Sequence, residues 1–249
     1  MKTVLITGAS SGYGRATALH FHAQGWNVIA TMRTPRPGVL PESDRLRVVA
    51  LDVTKTETIA AAFEAAGPID VLVNNAGVPS IGVFEGTPMD RVREVFETNT
   101  FGVMATTQAV LAQFRERGSG VVINVTSSVV LGHMPLSAVY KASKMAVEGF
   151  TASLSLELAP FGVQAKTVEP GACLTTNFAA SATNGTSVDE LVPAPYATWA
   201  KKTMASFTGQ DQFTKESDVA ETVWRAAHDT TGQLRFPAGP DAVWLAQAK

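Results

Sequence analysis

Short runs of apolar, often β-branched residues recur along the chain, and most of them are separated by longer stretches with helical spacing. The apolar runs cover 3–7, 26–32, 46–53, 69–77, 120–127, 163–171 and 233–237. The helical stretches cover about 14–24, 56–66, 88–116, 138–159 and 217–228. Continuous apolar strands that alternate with helices are typical of a parallel sheet covered on both faces. The pattern therefore predicts the α/β class, with three α/β/α layers.

The composition predicts one globular domain. The 249 residues are 45% hydrophobic and 17% charged, and no linker or repeat divides them, so we expect a single domain over residues 1–249. A net charge of −2 indicates neither a nucleic acid nor an anionic membrane as a partner. The single cysteine, Cys173, excludes an intrachain disulfide. Because no apolar run approaches the roughly 18 residues of a membrane-spanning helix, we expect a soluble cytoplasmic protein.

One segment, at about 172–212, breaks the rhythm of strands and helices, because Pro, Gly, Asn and aromatic residues are scattered through it. Loops of that length in compact domains are usually functional or disordered, and we interpret this one as a substrate-binding loop region. Its side chains and those of 128–137 are mostly apolar, which favours a hydrophobic ketone, aldehyde or alcohol as substrate. The four histidines show no metal-ligand spacing, so no metal is expected.

The first apolar run leads into a glycine-rich loop and then into a helix. Gly8, Gly12 and Gly14 have G-x-x-x-G-x-G spacing. Glycines there let the backbone turn tightly and approach a pyrophosphate at the positive N-terminus of the helix. The strand before the loop and the helix after it favour a dinucleotide site over an ordinary glycine-rich turn. The expected cofactor contacts in this loop are Gly8, Ser10, Ser11, Gly12, Tyr13 and Gly14.

The end of the second strand favours NADP(H) over NAD(H). An acidic residue at that position binds a free ribose 2′-hydroxyl, whereas a basic residue accepts a 2′-phosphate. The chain has Arg33 there and no Asp or Glu, so Arg33 is the expected phosphate ligand. A solvated loop cation is the alternative. After the third strand, Asp52 and Val53 are expected at the adenine, although Asp52 equally fits a cap of the following helix.

Tyr140 and Lys144 lie four residues apart in a helical stretch and therefore share one helix face. That helix follows the C-terminal end of the fifth strand, where open α/β sheets bind ligands. A cation about 4 Å away, at an effective dielectric constant of about 20, contributes roughly 4 kcal/mol, or roughly 3 pKa units. We therefore expect Lys144 to lower the pKa of Tyr140 towards neutrality, so that Tyr140 exchanges a proton with a carbonyl oxygen. A surface Tyr–Lys pair is the alternative.

Two further positions fit this chemistry. Ser127 and Ser128 follow the fifth strand and can stabilise a developing alkoxide, or they can satisfy backbone groups instead. Asn99 is an unusual choice inside a helix, because its side chain competes with the helix backbone. It indicates a local kink that holds a water near Lys144, or a plain surface asparagine.

Several motifs taken together resemble the short-chain dehydrogenase/reductase family in its compact single-domain form. They are TGASSGYG at 7–14, NNAG at 74–77, N-x-x-G at 99–102, Ser127, YKASK at 140–144 and PGACLT at 170–175. The resemblance covers essentially residues 2–171, and the chain after about 176 is not diagnostic. Tyr13 departs from the family pattern, which often has an aliphatic residue there.

The resemblance implies a doubly wound Rossmann-type sheet of seven parallel strands and a nicotinamide cofactor. It implies that Tyr140 is the catalytic acid and base, that Lys144 holds the nicotinamide ribose, and that Ser127 orients the substrate. Asn99 matches the residue that supports a proton-relay water. The implied cofactor contacts also include Asn75, Ala76, Gly77, Pro170, Gly171 and Thr175, together with Tyr140 and Lys144. The expected substrate contacts are Ser127, Val129, His133, Tyr140 and Phe178.

We therefore expect an NADP(H)-dependent carbonyl reductase or alcohol dehydrogenase. A non-catalytic NADP(H)-binding redox sensor is the alternative, although such a sensor has no need of Tyr140, Lys144, Ser127 and Asn99 together. An epimerase or dehydratase is disfavoured because the chain has no extra substrate domain. The long helical stretches carry small and apolar residues on more faces than one sheet covers, which predicts a homo-oligomer, either a dimer or a tetramer.

Overall fold

The computed structural model describes residues 1–173, 175–176, 191–206 and 213–248. Within these ranges seven strands form one sheet: β1 (Thr3–Ile6), β2 (Asn27–Met32), β3 (Leu46–Ala50), β4 (Val71–Asn74), β5 (Gly120–Val125), β6 (Val163–Pro170) and β7 (Arg235–Ala238). The α-helices in the same ranges are α1 (Gly12–Ala23), α2 (Thr56–Ala66), α3 (Met89–Phe96), α4 (Gly102–Arg117), α5 (Ala138–Leu158), α6 (Ala197–Ser206), α7 (Glu216–His228) and α8 (Pro240–Gln247).

The sheet is parallel throughout and doubly wound. Its strand order is β3-β2-β1-β4-β5-β6-β7, and β1 pairs with β2 on one side and with β4 on the other. The chain thus runs from β1 through β2 to β3 at one edge of the sheet. It then returns to β4 beside β1 and continues through β5 and β6 to β7 at the other edge. The reversal lies between β1 and β4, and the carboxyl ends of the strands there are the expected ligand site. The predicted fold class and seven-stranded sheet are confirmed.

Alternate residues of the central strands supply two apolar cores on opposite faces of the sheet. Val4 and Ile6 pack with α1 and α7 around the fully buried Phe21. Leu5 of the same strand faces the other way and packs with α2, α4 and α5 around the fully buried Phe114. Each such side chain contributes roughly 1.5–3 kcal/mol by leaving water. Apolar burial on both faces explains why these strands read as continuous apolar runs.

The structure corrects several predicted boundaries. The helix expected at 88–116 is divided into α3 and α4 by a π-helical segment, Glu97–Phe101. The run at 69–77 is a strand only over Val71–Asn74, because the following residues turn towards the glycine-rich loop. Helix α6 lies inside the segment interpreted as irregular loop, and α8, after the last strand, was not predicted.

No helix in the described ranges is both long enough and apolar enough to cross a membrane. The single-domain organisation over 1–249 stays a prediction.

Candidate functional site

The glycine-rich loop joins β1 to α1 and packs directly against the end of β4. Gly8 and Gly12 have φ angles of 70° and 52°, a region that L side chains rarely adopt. A Cβ on Gly8 would lie 2.8 Å from the Cα of Ala76, and one on Gly14 would lie 2.4 Å from Nδ2 of Asn75. The backbone therefore approaches its neighbours more closely than any side chain permits.

Hydrogen bonds fix the two segments together. Nδ2 of Asn75 donates to the carbonyl oxygens of Thr7 (3.0 Å) and Gly8 (3.1 Å). The hydroxyl of Thr7 accepts from the backbone N–H groups of Asn75 and Ala76, each at 3.0 Å. The predicted cofactor residues of the first loop and of the NNAG motif thus lie side by side at the reversal of strand order.

The start of α1 suits a phosphate group. Ser11 stands at the N-cap without a side-chain capping bond, and the first turn contains no acidic residue. The positive end of the helix dipole and its first backbone N–H groups therefore face no competing carboxylate of this turn. Together with the close approach at Gly8 and Gly14, this cradle fits the pyrophosphate of a dinucleotide.

Tyr13 connects this loop to the predicted Pro170–Gly171 turn. Its phenol donates to the carbonyl oxygen of Gly171 at 2.9 Å. Burial raises the pKa of Tyr13, so the hydroxyl stays protonated and able to donate. Thr175 is exposed, and its hydroxyl lies 3.2 Å from Sγ of Cys173. The unusual aromatic residue of the loop therefore joins two segments that were expected to contact the cofactor.

Arg33 directly follows β2 and is exposed, as a ligand for a 2′-phosphate needs to be. Asp52 accepts hydrogen bonds from the N–H (3.0 Å) and hydroxyl (2.8 Å) of Thr54. Burial raises the pKa of Asp52, but the Thr54 bonds and then the charge of Arg33 outweigh burial and lower it. Val53 is buried, and a Cβ on Gly102 would lie 2.7 Å from its Cγ2. The structure thus gives Asp52 a local turn contact and Val53 a packing contact.

Tyr140 and Lys144 lie in the first two turns of α5, and both are buried, with exposed fractions of 8% and 3%. The hydroxyl of Ser127, just beyond β5, shares a hydrogen bond with the Tyr140 phenol and accepts from the N–H of Val129 at 3.3 Å. Nζ of Lys144 donates to the carbonyl oxygen of Val125 at 2.9 Å. The end of β5 and the start of α5 therefore bring together three of the four predicted catalytic residues.

The structure does not show the expected lowering of the Tyr140 pKa by Lys144. Burial raises the pKa of Tyr140, and the hydrogen bond from Ser127 opposes that effect only in part. Nζ of Lys144 lies 6.0 Å from the centroid of the Tyr140 ring. Burial also lowers the pKa of Lys144 to about 8, while the charge of Glu148 acts in the opposite sense. The prediction placed the cation at about 4 Å in a polar medium and left out the burial of both groups.

Asn99 occupies the π-helical segment, which confirms the local kink expected there. Its Oδ1 accepts from the N–H of Val78 at 2.8 Å, and its Nδ2 donates to the carbonyl oxygen of Val78 at 2.9 Å. Nδ2 also lies 3.1 Å from the hydroxyl of Ser143 on α5. A Cβ on Gly77 would lie 3.3 Å from Oδ1 of Asn99 and 3.4 Å from Nζ of Lys144. Asn99 thus adjoins the catalytic array.

The predicted substrate contacts differ in how deeply they are buried. Val129 is buried in one apolar cluster with Tyr140, Val130, Leu131 and Ala242. His133 is exposed on the loop between β5 and α5. Phe178 lies outside the described residues.

Sequence reasoning missed two residues of the array. Ser143 connects Asn99 to α5, because its hydroxyl donates to the carbonyl oxygen of Tyr140 at 2.7 Å. Glu148 is buried one helical turn beyond Lys144. Their positions on the helix, three residues after Tyr140 and four after Lys144, were the available signal. Among the described residues no group of three or more His, Cys, Asp or Glu could hold a metal ion.

Comparison with known proteins places this site in context. A family model described as short chain dehydrogenase matches residues 2–186. The uncharacterized oxidoreductase YusZ of Bacillus subtilis is 37% identical over 96% of this chain and 89% of its own length. Retinol dehydrogenase 8 of Bos taurus is 38% identical over 70% of this chain, which matches 60% of that protein's length.

Solved structures give the same result. A short-chain dehydrogenase from Streptomyces avermitilis superposes with a TM-score of 0.82 at 35% identity, covering 99% of this chain and 91% of that one. A serine dehydrogenase complexed with NADP+ has a TM-score of 0.78 at 27% identity, covering 96% and 95% of the two chains. A 3-ketoacyl-(acyl-carrier-protein) reductase from Brucella melitensis complexed with NADH has a TM-score of 0.75 at 27% identity, covering 95% and 96%.

Proposed function

Because the chain belongs to the short-chain dehydrogenase family of oxidoreductases, we propose that it interconverts a carbonyl and an alcohol with NADP(H). The hydrogen-bonded pair of Ser127 and Tyr140, with Lys144 one turn further along α5, carries this proposal. These groups lie at the carboxyl end of the sheet beside a glycine-rich loop suited to a dinucleotide.

The roles of the residues follow from their chemistry. The nicotinamide supplies or accepts the hydride. In the reducing direction Tyr140 donates its phenolic proton to the carbonyl oxygen, and it accepts that proton in reverse. Ser127 donates a hydrogen bond to the same oxygen and stabilises its developing charge. Lys144 is the residue proposed to hold the nicotinamide ribose beside Tyr140.

NADP(H) is the proposed cofactor because Arg33 follows β2 at the position that reads the ribose. Arg36 is also exposed in the same loop, which adds positive charge near that position. The known structures include complexes of relatives with NADP+ and with NADH.

The proposed substrate is an apolar carbonyl compound or alcohol. Three partly or fully buried apolar side chains, Val129, Leu131 and Met134, pack in the cluster that contains Tyr140. One relative is named a retinol dehydrogenase. We also propose a homo-oligomer, since Met145 and Leu156 on α5 are 43% and 76% exposed.

The test is NADPH consumption with a panel of small and bulky ketones. Tyr140→Phe removes the acid and is expected to lower kcat by about 10²–10⁴-fold, the usual contribution of general acid catalysis. Tyr196→Phe is the matched control for the loss of a tyrosine hydroxyl, because the Tyr196 phenol donates to Glu85.

Equal turnover in the wild type and Tyr140→Phe would contradict the role of Tyr140. NADPH binding in a fluorescence titration, without turnover of any ketone or alcohol, would favour the redox-sensor alternative.

A further inference from the structure

Two buried carboxylates lie behind the catalytic array. Glu148 on α5 and Glu169 on β6 have exposed fractions of 3% and 0%. One arginine of the edge strand β7 reaches both: Arg235 lies 3.2 Å from Oε2 of Glu148 and 3.6 Å from Oε1 of Glu169. Burying a carboxylate costs free energy, and the partly exposed Arg235 offsets only part of that cost. The proposed reaction assigns no part to this acidic group.

Glu148 contacts the residue that lies between two parts of the array. Its Oε1 accepts from the hydroxyl of Thr126 at 2.7 Å. Thr126 directly follows Val125, whose carbonyl oxygen accepts from Lys144, and directly precedes Ser127. The Glu148 carboxylate therefore fixes the end of β5. Lys144 is bonded to this end of the strand, and Ser127 follows it in the chain.

Glu148 is also the nearest acid along the helix to Lys144, four residues away on the same face of α5. Burial lowers the pKa of Lys144, and the charge of Glu148 is the effect that raises it. The titratable and charged groups facing this region are Tyr140 and Glu148 from α5, Glu169 from β6, Arg235 from β7 and Tyr13 from the glycine-rich loop. The π-helical segment and the end of β5 contribute the uncharged Asn99 and Ser127.

We propose that Glu148 is a positioning residue for the proposed function. Its carboxylate, paired with Arg235, keeps the Lys144 ammonium charged and holds the end of β5 that carries Ser127 in place. Because Glu148 is 3% exposed and accepts from Thr126, it acts through Lys144 and Thr126 rather than on the substrate.

The first test needs neither substrate nor cofactor. Lysine labelled with ¹³C at Cε is incorporated, the Lys144 signal is assigned with Lys144→Met, and its shift is followed against pH. We expect Glu148→Gln, which keeps the shape of the side chain, to lower the Lys144 midpoint by about one pH unit. Glu169→Gln is the matched control, since it removes the other buried carboxylate that Arg235 reaches, and it should move the midpoint by less than half as much.

The second test uses turnover. The alkaline limb of kcat/KM for ketone reduction should move to lower pH by the same amount in Glu148→Gln. Thr126→Val keeps both charges but removes the hydrogen bond, so we expect about a tenfold loss of kcat with an unchanged Lys144 midpoint. If Glu148→Gln fails to fold, Thr126→Val still tests whether the Glu148–Thr126 hydrogen bond positions the end of β5.

An unmoved Lys144 midpoint in Glu148→Gln, an equal movement in Glu169→Gln, or wild-type kcat in Thr126→Val would each overturn the proposal. If no carbonyl is turned over at all, the proposed function fails, while the titration still decides whether Glu148 controls the charge of Lys144.

Discussion

At the scale of single residues, Lys144 shows how strongly burial changes a side chain that the sequence reveals only by its spacing. The i, i+4 relation to Tyr140 was readable from the chain, and the structure places both on one face of α5. The depth of burial was not readable, because it depends on elements distant in sequence: Gly77, for example, lies against the lysine. The direction of the pKa shift at Tyr140 was therefore wrong, although the pairing was predicted.

The buried lysine makes stability depend on pH. Its pKa falls from 10.5 to about 8 on folding. Between pH 8 and 10.5 the unfolded chain therefore holds a proton that the folded protein has lost, so the free energy of unfolding rises with pH. The slope from this group is at most about 1.4 kcal/mol per pH unit. Urea unfolding at pH 7 to 9, below the range in which unfolded tyrosines titrate, should show a steeper rise in the wild type than in Lys144→Met, with Lys2→Met as the exposed control. Parallel curves for the wild type and Lys144→Met would contradict the burial of a charged lysine.

Arg33 gives a second prediction for one residue. Arg33→Ala removes the expected partner of a 2′-phosphate, and a hydrogen bond to a charged group contributes about 1.5–3 kcal/mol. We therefore expect the KM for NADPH to rise about 10–100-fold, while the KM for NADH stays nearly constant. Arg93→Ala, at an exposed arginine on α3, is the control. A wild-type preference for NADH in initial-rate measurements would contradict the assignment of Arg33.

At the scale of elements, the long helix expected at 88–116 is interrupted at the residue that looked out of place in it. The π-helical turn at Glu97–Phe101 carries Asn99, whose amide pairs with both backbone groups of Val78. Helices α6 and α8 escaped prediction for different reasons. Helix α6 has a broken apolar pattern, with Trp199 and Met204 47% and 39% exposed, and α8 is short and begins at a proline. Sequence periodicity detects a helix only when one face is consistently buried.

Asn99→Ala is expected to destabilise the protein by about 1–3 kcal/mol, because it leaves the N–H and C=O of Val78 without their partner. Chemical unfolding followed by circular dichroism gives the difference in the free energy of unfolding. Thr98→Ala in the same π-helical segment should change it much less. Equal destabilisation by the two variants would show that the segment, rather than the Asn99–Val78 pair, sets the cost.

At the scale of the whole molecule, the two ends of the segment between Ala172 and Thr214 meet at one carboxylate. Asp241, in the first turn of α8, accepts from the N–H of Ala172 at 2.7 Å and from the hydroxyl of Thr214. The N–H of Thr214 in turn donates to the carbonyl oxygen of Ala172 at 2.9 Å. The predicted substrate-binding region therefore begins and ends beside one carboxylate, which the unpredicted helix α8 supplies.

Asp241→Ala should lower the free energy of unfolding by about 1–3 kcal/mol, since the N–H of Ala172 and the buried hydroxyl of Thr214 lose a charged acceptor. Urea denaturation measures the change, and Asp44→Ala, at an exposed position, is the control. If Asp241→Ala matches the wild type, the Ala172–Thr214 bond alone is enough to close the segment.

The tight contact of Gly8 with Ala76 has a consequence for biosynthesis. Strands β1 and β4 are neighbours in the sheet but are separated in the chain by α1, β2, β3 and α2. A nascent polypeptide arrested on the ribosome before β4 emerges contains the glycine-rich loop but lacks Asn75 and Ala76, against which that loop packs. Capture of a nucleotide therefore awaits translation through the NNAG motif, and an amino-terminal fragment that stops short of it should not be retained on a dinucleotide affinity resin.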